Sequence, residues 1–132
     1  RLNFAEDSPI NVTAKLPPAK LHEHMAANVG AGLVPLADTF YNRNLTCPVK
    51  ALDSIAHHLP VVASDLSSTR EVLGDAGCFV PPGDGKVLIK EIADLFSDEQ
   101  RFTERSEAAT RRAVELNWES RARRILGWLR DS

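Results

Sequence analysis

The chain has 132 residues, 16 basic and 18 acidic side chains, a net charge of −2 and a 43% hydrophobic content. That suits one domain with its own core, supplies no global field for nucleic acid or an anionic surface, and contains no apolar run long enough to span a bilayer. Cys47 and Cys78 have neither metal-ligand nor redox spacing, so free thiols in a reducing compartment, by default the cytoplasm, are expected.

In chain order, residues 1–10 read as an irregular lead-in and residues 11–16 as a short strand ended by Pro17 and Pro18. Residues 19–28 have Leu21, Met25 and Ala26 at helical spacing among His22, Glu23 and His24, the pattern of a one-sided surface helix. Residues 31–36 are expected to form a short buried strand and residues 37–45 a polar loop. A helix is predicted from Pro48 to His57, with Thr46 or Cys47 at the N-cap, Pro48 at the first helical position, and Val49, Leu52, Ile55 and Ala56 inward. The unbroken apolar run 61–64 suits a central strand of a parallel sheet.

A short helix over 69–73, a strand over 78–80 and a helix capped by Asp84 and ending near Phe96 follow. Ser97 and Gln100 have capping-box spacing before a long arginine-rich helix that reaches about Leu116. Asn117 and Trp118 then interrupt the pattern before a last amphipathic helix. Strands alternating with helices predict an α/β fold. The divisions are residues 1–10 as lead-in, 11–116 as the main domain and 117–132 as a C-terminal helix.

One position is electrostatically odd. Lys50 falls in the first turn of its helix, where the macrodipole disfavours a cation by roughly 0.3–1 kcal/mol. A bound anion reverses that sign, and helix N-termini are natural phosphate sites. The plain alternative is a capped helix with Lys50 in water.

Taken together, Cys47-Pro48-Val49-Lys50, Asp53, Ala56, Pro60-Val61-Val62-Ala63-Ser64, Arg70-Glu71-Val72 and Gly74-Asp75-Ala76-Gly77 resemble the retaining glycosyltransferases of the GT-B fold, group 1 or family 4. Within that family the likeness is to the branch with a Ser-Pro-Leu-Lys type signature. Further likeness comes from Phe79-Val80-Pro81-Pro82-Gly83-Asp84 and from Trp118-Glu119, so it extends over residues 11–130.

The resemblance implies a Rossmann-like parallel sheet flanked by helices, the carboxyl-terminal donor-binding domain without its first βα units, ending in two long helices. It implies transfer of a hexosyl group from a nucleotide-diphosphate sugar to an acceptor hydroxyl with retention. Cys47, Pro48, Val49 and Lys50 would then face the donor diphosphate, Asp53 would accept bonds from the ribose hydroxyls, and Glu71 would neighbour the nucleotide. No cofactor, metal or nucleic acid is expected. The acceptor, a glycan or a lipid, would be met through an amino-terminal domain that the chain lacks, with peripheral membrane contact open. The fragment by itself is expected to be inactive.

The departures are specific. Asp53 stands where the family has Glu, about 1.5 Å shorter in reach. His58 replaces a helix-ending Gly, and Leu45 occupies the place of an earlier Glu. They motivate an alternative, a degenerate, non-catalytic binding or interaction module. Without the first strands, the strand near Gly32 would present a bare apolar edge. The pairs His57/His58 and His22/His24 are expected to be exposed residues rather than ligands, Trp118 and Trp128 to be packing residues, and the arginine-rich helices to be solvated faces.

Overall fold

The computed structural model describes residues 14–131. Three strands, β1 (Gly32–Val34), β2 (Val61–Ser64) and β3 (Gly77–Val80), form a parallel sheet in sequence order. Gly32 pairs with Val61, and Val61 in turn with Gly77. The helices are α1 (Pro18–Asn28), α2 (Phe40–Asn44), α3 (Val49–Ala56), α4 (Ser67–Leu73), α5 (Gly85–Ser97), α6 (Glu99–Leu116) and α7 (Trp118–Arg130). A single 3-10 turn, Gly74–Ala76, links α4 to β3. This is the Rossmann-like α/β arrangement expected, ending in two long helices.

Alternation along the strands divides the core between the two faces of the sheet. Val34, Val61 and Ala63 pack against Ala51 and Ile55 of α3, Leu73 of α4 and Ala108 and Ala109 of α6. Val62, Cys78 and Val80 pack on the other face with Leu88, Ile92 and Leu95 of α5. All four residues of β2 are buried, as a strand covered on both faces requires.

Several expectations change. The lead-in and the first half of the strand over 11–16 lie outside the described residues, and residues 14–17 form no strand. β1 is shorter than expected and only half covered. Among the described residues it pairs with β2 alone and leaves Leu33 45% exposed, the apolar edge foreseen. The loop over 37–45 contains the short helix α2, because the Thr39 hydroxyl accepts the Asn42 N–H. Ser97 ends α5 rather than opening α6. Asp98 caps α6 by accepting the Arg101 N–H at 2.9 Å, the better acceptor for a positive helix end. Trp118 is 82% exposed and lies beneath the Arg121 guanidinium, not packed, and α7 has no buried residue.

α3 is rotated from its expected face. Ala51, Ser54 and Ile55 are buried, whereas Val49 is 62% exposed and Ala56 is exposed. The cause is Gly32: a Cβ there would stand 2.2 Å from Ser54 Oγ, so the bare glycine is the hollow that admits Ser54. Ser54 meets its own polar need by donating to the Lys50 carbonyl at 2.8 Å. The helix ends in a Schellman motif, with the His58 N–H on the Ile55 carbonyl (3.0 Å) and the Leu59 N–H on the Ser54 carbonyl (3.1 Å). His58 takes the left-handed conformation, φ +60°, that the family's glycine would take freely.

Candidate functional site at the carboxyl edge of the sheet

In a parallel sheet each crossover helix starts at the edge where the preceding strand ends, so α3 opens at the carboxyl edge. Pro48 is its N-cap, not its first helical residue, and no side chain caps the first turn. Its carbonyl accepts the N–H groups of Ala51 (2.9 Å) and Leu52 (3.3 Å). Val49 and Lys50 hold the first two helical positions, so their N–H groups have no carbonyl four residues back to bond. The first turn carries no acidic residue. Lys50 is exposed and takes no part in the ion pairs among the described residues.

Asp53 follows Lys50 by three residues and is therefore near its helical neighbour, yet no ion pair joins them. It is half-buried, its carbonyl bonded to the His57 ring at 2.7 Å and its carboxylate without a protein partner among the described residues. Cys47 is an exposed free thiol just before the helix. Glu71 sits one turn into α4 with its side chain exposed, and its carbonyl accepts from the Arg112 guanidinium. The structure thus joins Cys47, Pro48, Val49, Lys50 and Asp53 in one helix terminus and puts Glu71 on a separate helix.

A crevice of about 270 Å³ opens at the strand tips, lined by Leu36, Ser64, Val80, Pro81, Asp84 and Leu88 among others. None of the sequence-predicted site residues lines it. Val80 and Leu88 belong to the α5 face of the sheet, whereas Leu36 packs with the cluster on the α3 face, so the crevice takes its lining from both faces at this edge. Asp84 is spent on its own helix, accepting the Lys86 (3.1 Å) and Val87 (3.0 Å) N–H groups.

Two carboxylates at this edge are held by arginines. Asp65 after β2 receives both Nε and Nη2 of Arg70, at 2.5 and 2.8 Å, and that bond holds its carboxyl below the usual range. Arg43 grips Asp38 in the same forked way, at 2.5 and 2.6 Å, with the same effect. Arg70 also lies 4.5 Å from the centre of the Phe79 ring. These charges are neutralised within the protein, whereas Lys50 beside the start of α3 has no ion-pair partner among the described residues.

Sequence reading missed how the loop before α3 is fastened. The Ser67 and Ser68 hydroxyls of α4 donate to the Arg43 and Asn42 carbonyls, at 2.6 and 2.5 Å. Serines at a helix start read as local caps, and nothing in the sequence says that they reach a loop some 25 residues back. Among the described residues no three His, Cys, Asp or Glu side chains come together to hold a metal.

No curated protein and no solved structure matches the chain. A family model described as Glycosyl transferases group 1 matches residues 8–98, more than half of the sequence. A parallel α/β domain, with an open helix terminus at its carboxyl edge and a match of this extent, makes the chain a member of the group 1 glycosyltransferases, a family of glycosyl-transferring enzymes.

Proposed function

We propose that this domain binds the nucleotide-diphosphate part of a sugar donor, and that the protein it serves moves a hexosyl group to an acceptor hydroxyl with retention of configuration. The observation that carries the reading is the first turn of α3. It has no side-chain cap and no acidic residue, and among the described residues its leading N–H groups are unbonded and the Lys50 ammonium beside them is unpaired. Such a corner is electrostatically incomplete until an anion arrives.

In this reading the Val49 and Lys50 amides and the Lys50 ammonium hold the diphosphate, and Cys47 and Pro48 shape the approach to it. As the glycosidic bond breaks, negative charge grows on the leaving diphosphate, and donors already aimed there stabilise it without reorganising. Asp53, one turn along with a carboxylate that has no partner among the described residues, accepts from two ribose hydroxyls. Glu71 is a neighbour of the nucleotide rather than a ligand of the phosphates. Acceptor recognition, and hence turnover, belongs to parts of the protein beyond this domain.

Calorimetric titration with UDP, GDP and inorganic pyrophosphate tests the reading. Lys50→Ala should weaken all three about tenfold, the loss of one charge-assisted contact of about 1.4 kcal/mol. Asp53→Ala should weaken the nucleotides and leave pyrophosphate unchanged. Equal binding by wild type and Lys50→Ala would refute the assignment.

A further inference from the structure

We propose that Asn42 and Ser68 are positioning residues for the donor corner, acting through the loop that leads into α3; the proposal rests on the donor reading above. Asn42 uses every polar group it has. Its N–H donates to Thr39 Oγ1 (3.1 Å) and its Nδ2 to the Ala37 carbonyl (2.8 Å). Its Oδ1 accepts from Thr46 Oγ1 (3.4 Å), and its carbonyl accepts from Ser68 Oγ (2.5 Å). Four bonds converging on one residue tie residues 37–46 into a knot, and the Ser68 bond hangs that knot on α4 across 26 residues of sequence.

The knot governs the next residues by chain continuity. Thr46 is held twice, its hydroxyl on Asn42 and its N–H on the Tyr41 carbonyl at 3.1 Å. Only Cys47 and Pro48 separate it from the first helical residue of α3. The knot therefore sets where the Val49 and Lys50 amides stand. Apolar packing does little of this work, because Phe40, Tyr41 and Leu45 are all more than 60% exposed. A loop held by hydrogen bonds rather than buried surface loosens when one hub is removed, while the core beneath it stays intact. Ser68 is buried, and deleting its hydroxyl removes the donor that ties the Asn42 carbonyl to α4.

Cys47 provides a readout at the right place. It is exposed and lies between knot and helix, whereas Cys78 is buried and its thiol is pushed up by that burial. The fast phase of reaction with a disulfide reagent therefore reports Cys47 alone. In the full chain, Asn42→Ala and Ser68→Ala should raise that rate at least fivefold and weaken UDP and GDP binding about tenfold. Ser68→Thr, which keeps the hydroxyl, should restore both. Val62→Ala, a core change on the opposite face, should lower the thermal midpoint at least as much and alter neither readout.

An unchanged Cys47 rate overturns the knot. A faster rate with unchanged nucleotide affinity overturns the positioning role, and so does a Val62→Ala variant that behaves like Asn42→Ala. If the wild-type chain binds neither UDP nor GDP, the donor reading falls and the positioning role with it, while the Cys47 rates still decide the knot.

Discussion

Replacing Gly32 by Ala adds one methyl group and should destabilise this domain. The new Cβ would stand 2.2 Å from Ser54 Oγ, 2.7 Å from Ser54 Cβ and 3.4 Å from Val61 Cγ2. Carbon atoms in contact prefer about 3.5–4.0 Å, so α3 must retreat by about 1 Å. Rotating the serine hydroxyl relieves only the first contact, because Ser54 Cβ is fixed to the helix backbone. Overpacking of this kind costs about 1–3 kcal/mol, and the better strand propensity of Ala recovers about 0.5–1 kcal/mol. A net loss of about 1 kcal/mol is expected, noticeable against a domain's usual stability of about 5–15 kcal/mol.

Urea unfolding followed by far-ultraviolet circular dichroism measures it, with Ser54→Gly as the partner. Alone, Ser54→Gly costs about 1 kcal/mol of helix propensity. In the double variant the clash is gone, so the two costs should fall short of additivity by more than 1 kcal/mol. Ser54→Ala, which leaves the 2.7 Å contact, should give weaker relief. A Gly32→Ala variant within 0.5 kcal/mol of wild type, or additive costs, would refute the reasoning. Because α3 carries Lys50, the same variant should weaken pyrophosphate binding.

Other changes act more locally. His58→Gly relieves a left-handed non-glycine residue at the cost of the bond between its ring and the Thr110 hydroxyl, and should raise stability by about 0.5–1 kcal/mol in the same assay. Arg112 donates to the Glu71 and Val72 carbonyls at the end of α4 and to Glu115. Arg112→Ala should cost about 2 kcal/mol, and Lys should rescue little since it lacks the fork, with amide exchange over 71–76 quickening first. Asp38 and Asp65 titrate below the ordinary range because arginines hold them, so their stabilisation is whole above an unfolded pKa of about 3.9 and is lost as pH falls through the lower folded values. The thermal midpoint should thus drop more steeply below pH 4 in wild type than in Asp38→Asn/Asp65→Asn. The difference should be small, since both pairs face water, and should vanish in 1 M salt.

Elements governed by short-range rules were legible in the sequence. The buried run of β2 and the Asp84 cap each depend on a few adjacent residues, and so did the family's motif order; Asn117 was legible only as a break, and its cap, with Oδ1 accepting the Ser120 N–H at 2.7 Å, came from the structure. The sequence showed only that His58 replaces a helix-ending Gly; that it keeps the left-handed conformation was decided by the structure. The cap was expected at Thr46 or Cys47 with Pro48 first in the helix, whereas Pro48 itself is the N-cap and the helix starts at Val49.

What the tertiary structure alone decided are relations between elements far apart in the chain. Periodicity put Val49 and Ala56 inward, and the structure exposes both while the hollow left by Gly32 admits Ser54. Polar residues in the loop gave no sign that Asn42 would gather four bonds or that Ser68 would hold it. The crevice draws its lining from both faces of the sheet at one edge, which follows from which helix covers which side. Propensity and capping act over a few residues, but burial is a property of two surfaces meeting, and a one-dimensional pattern does not contain the second surface.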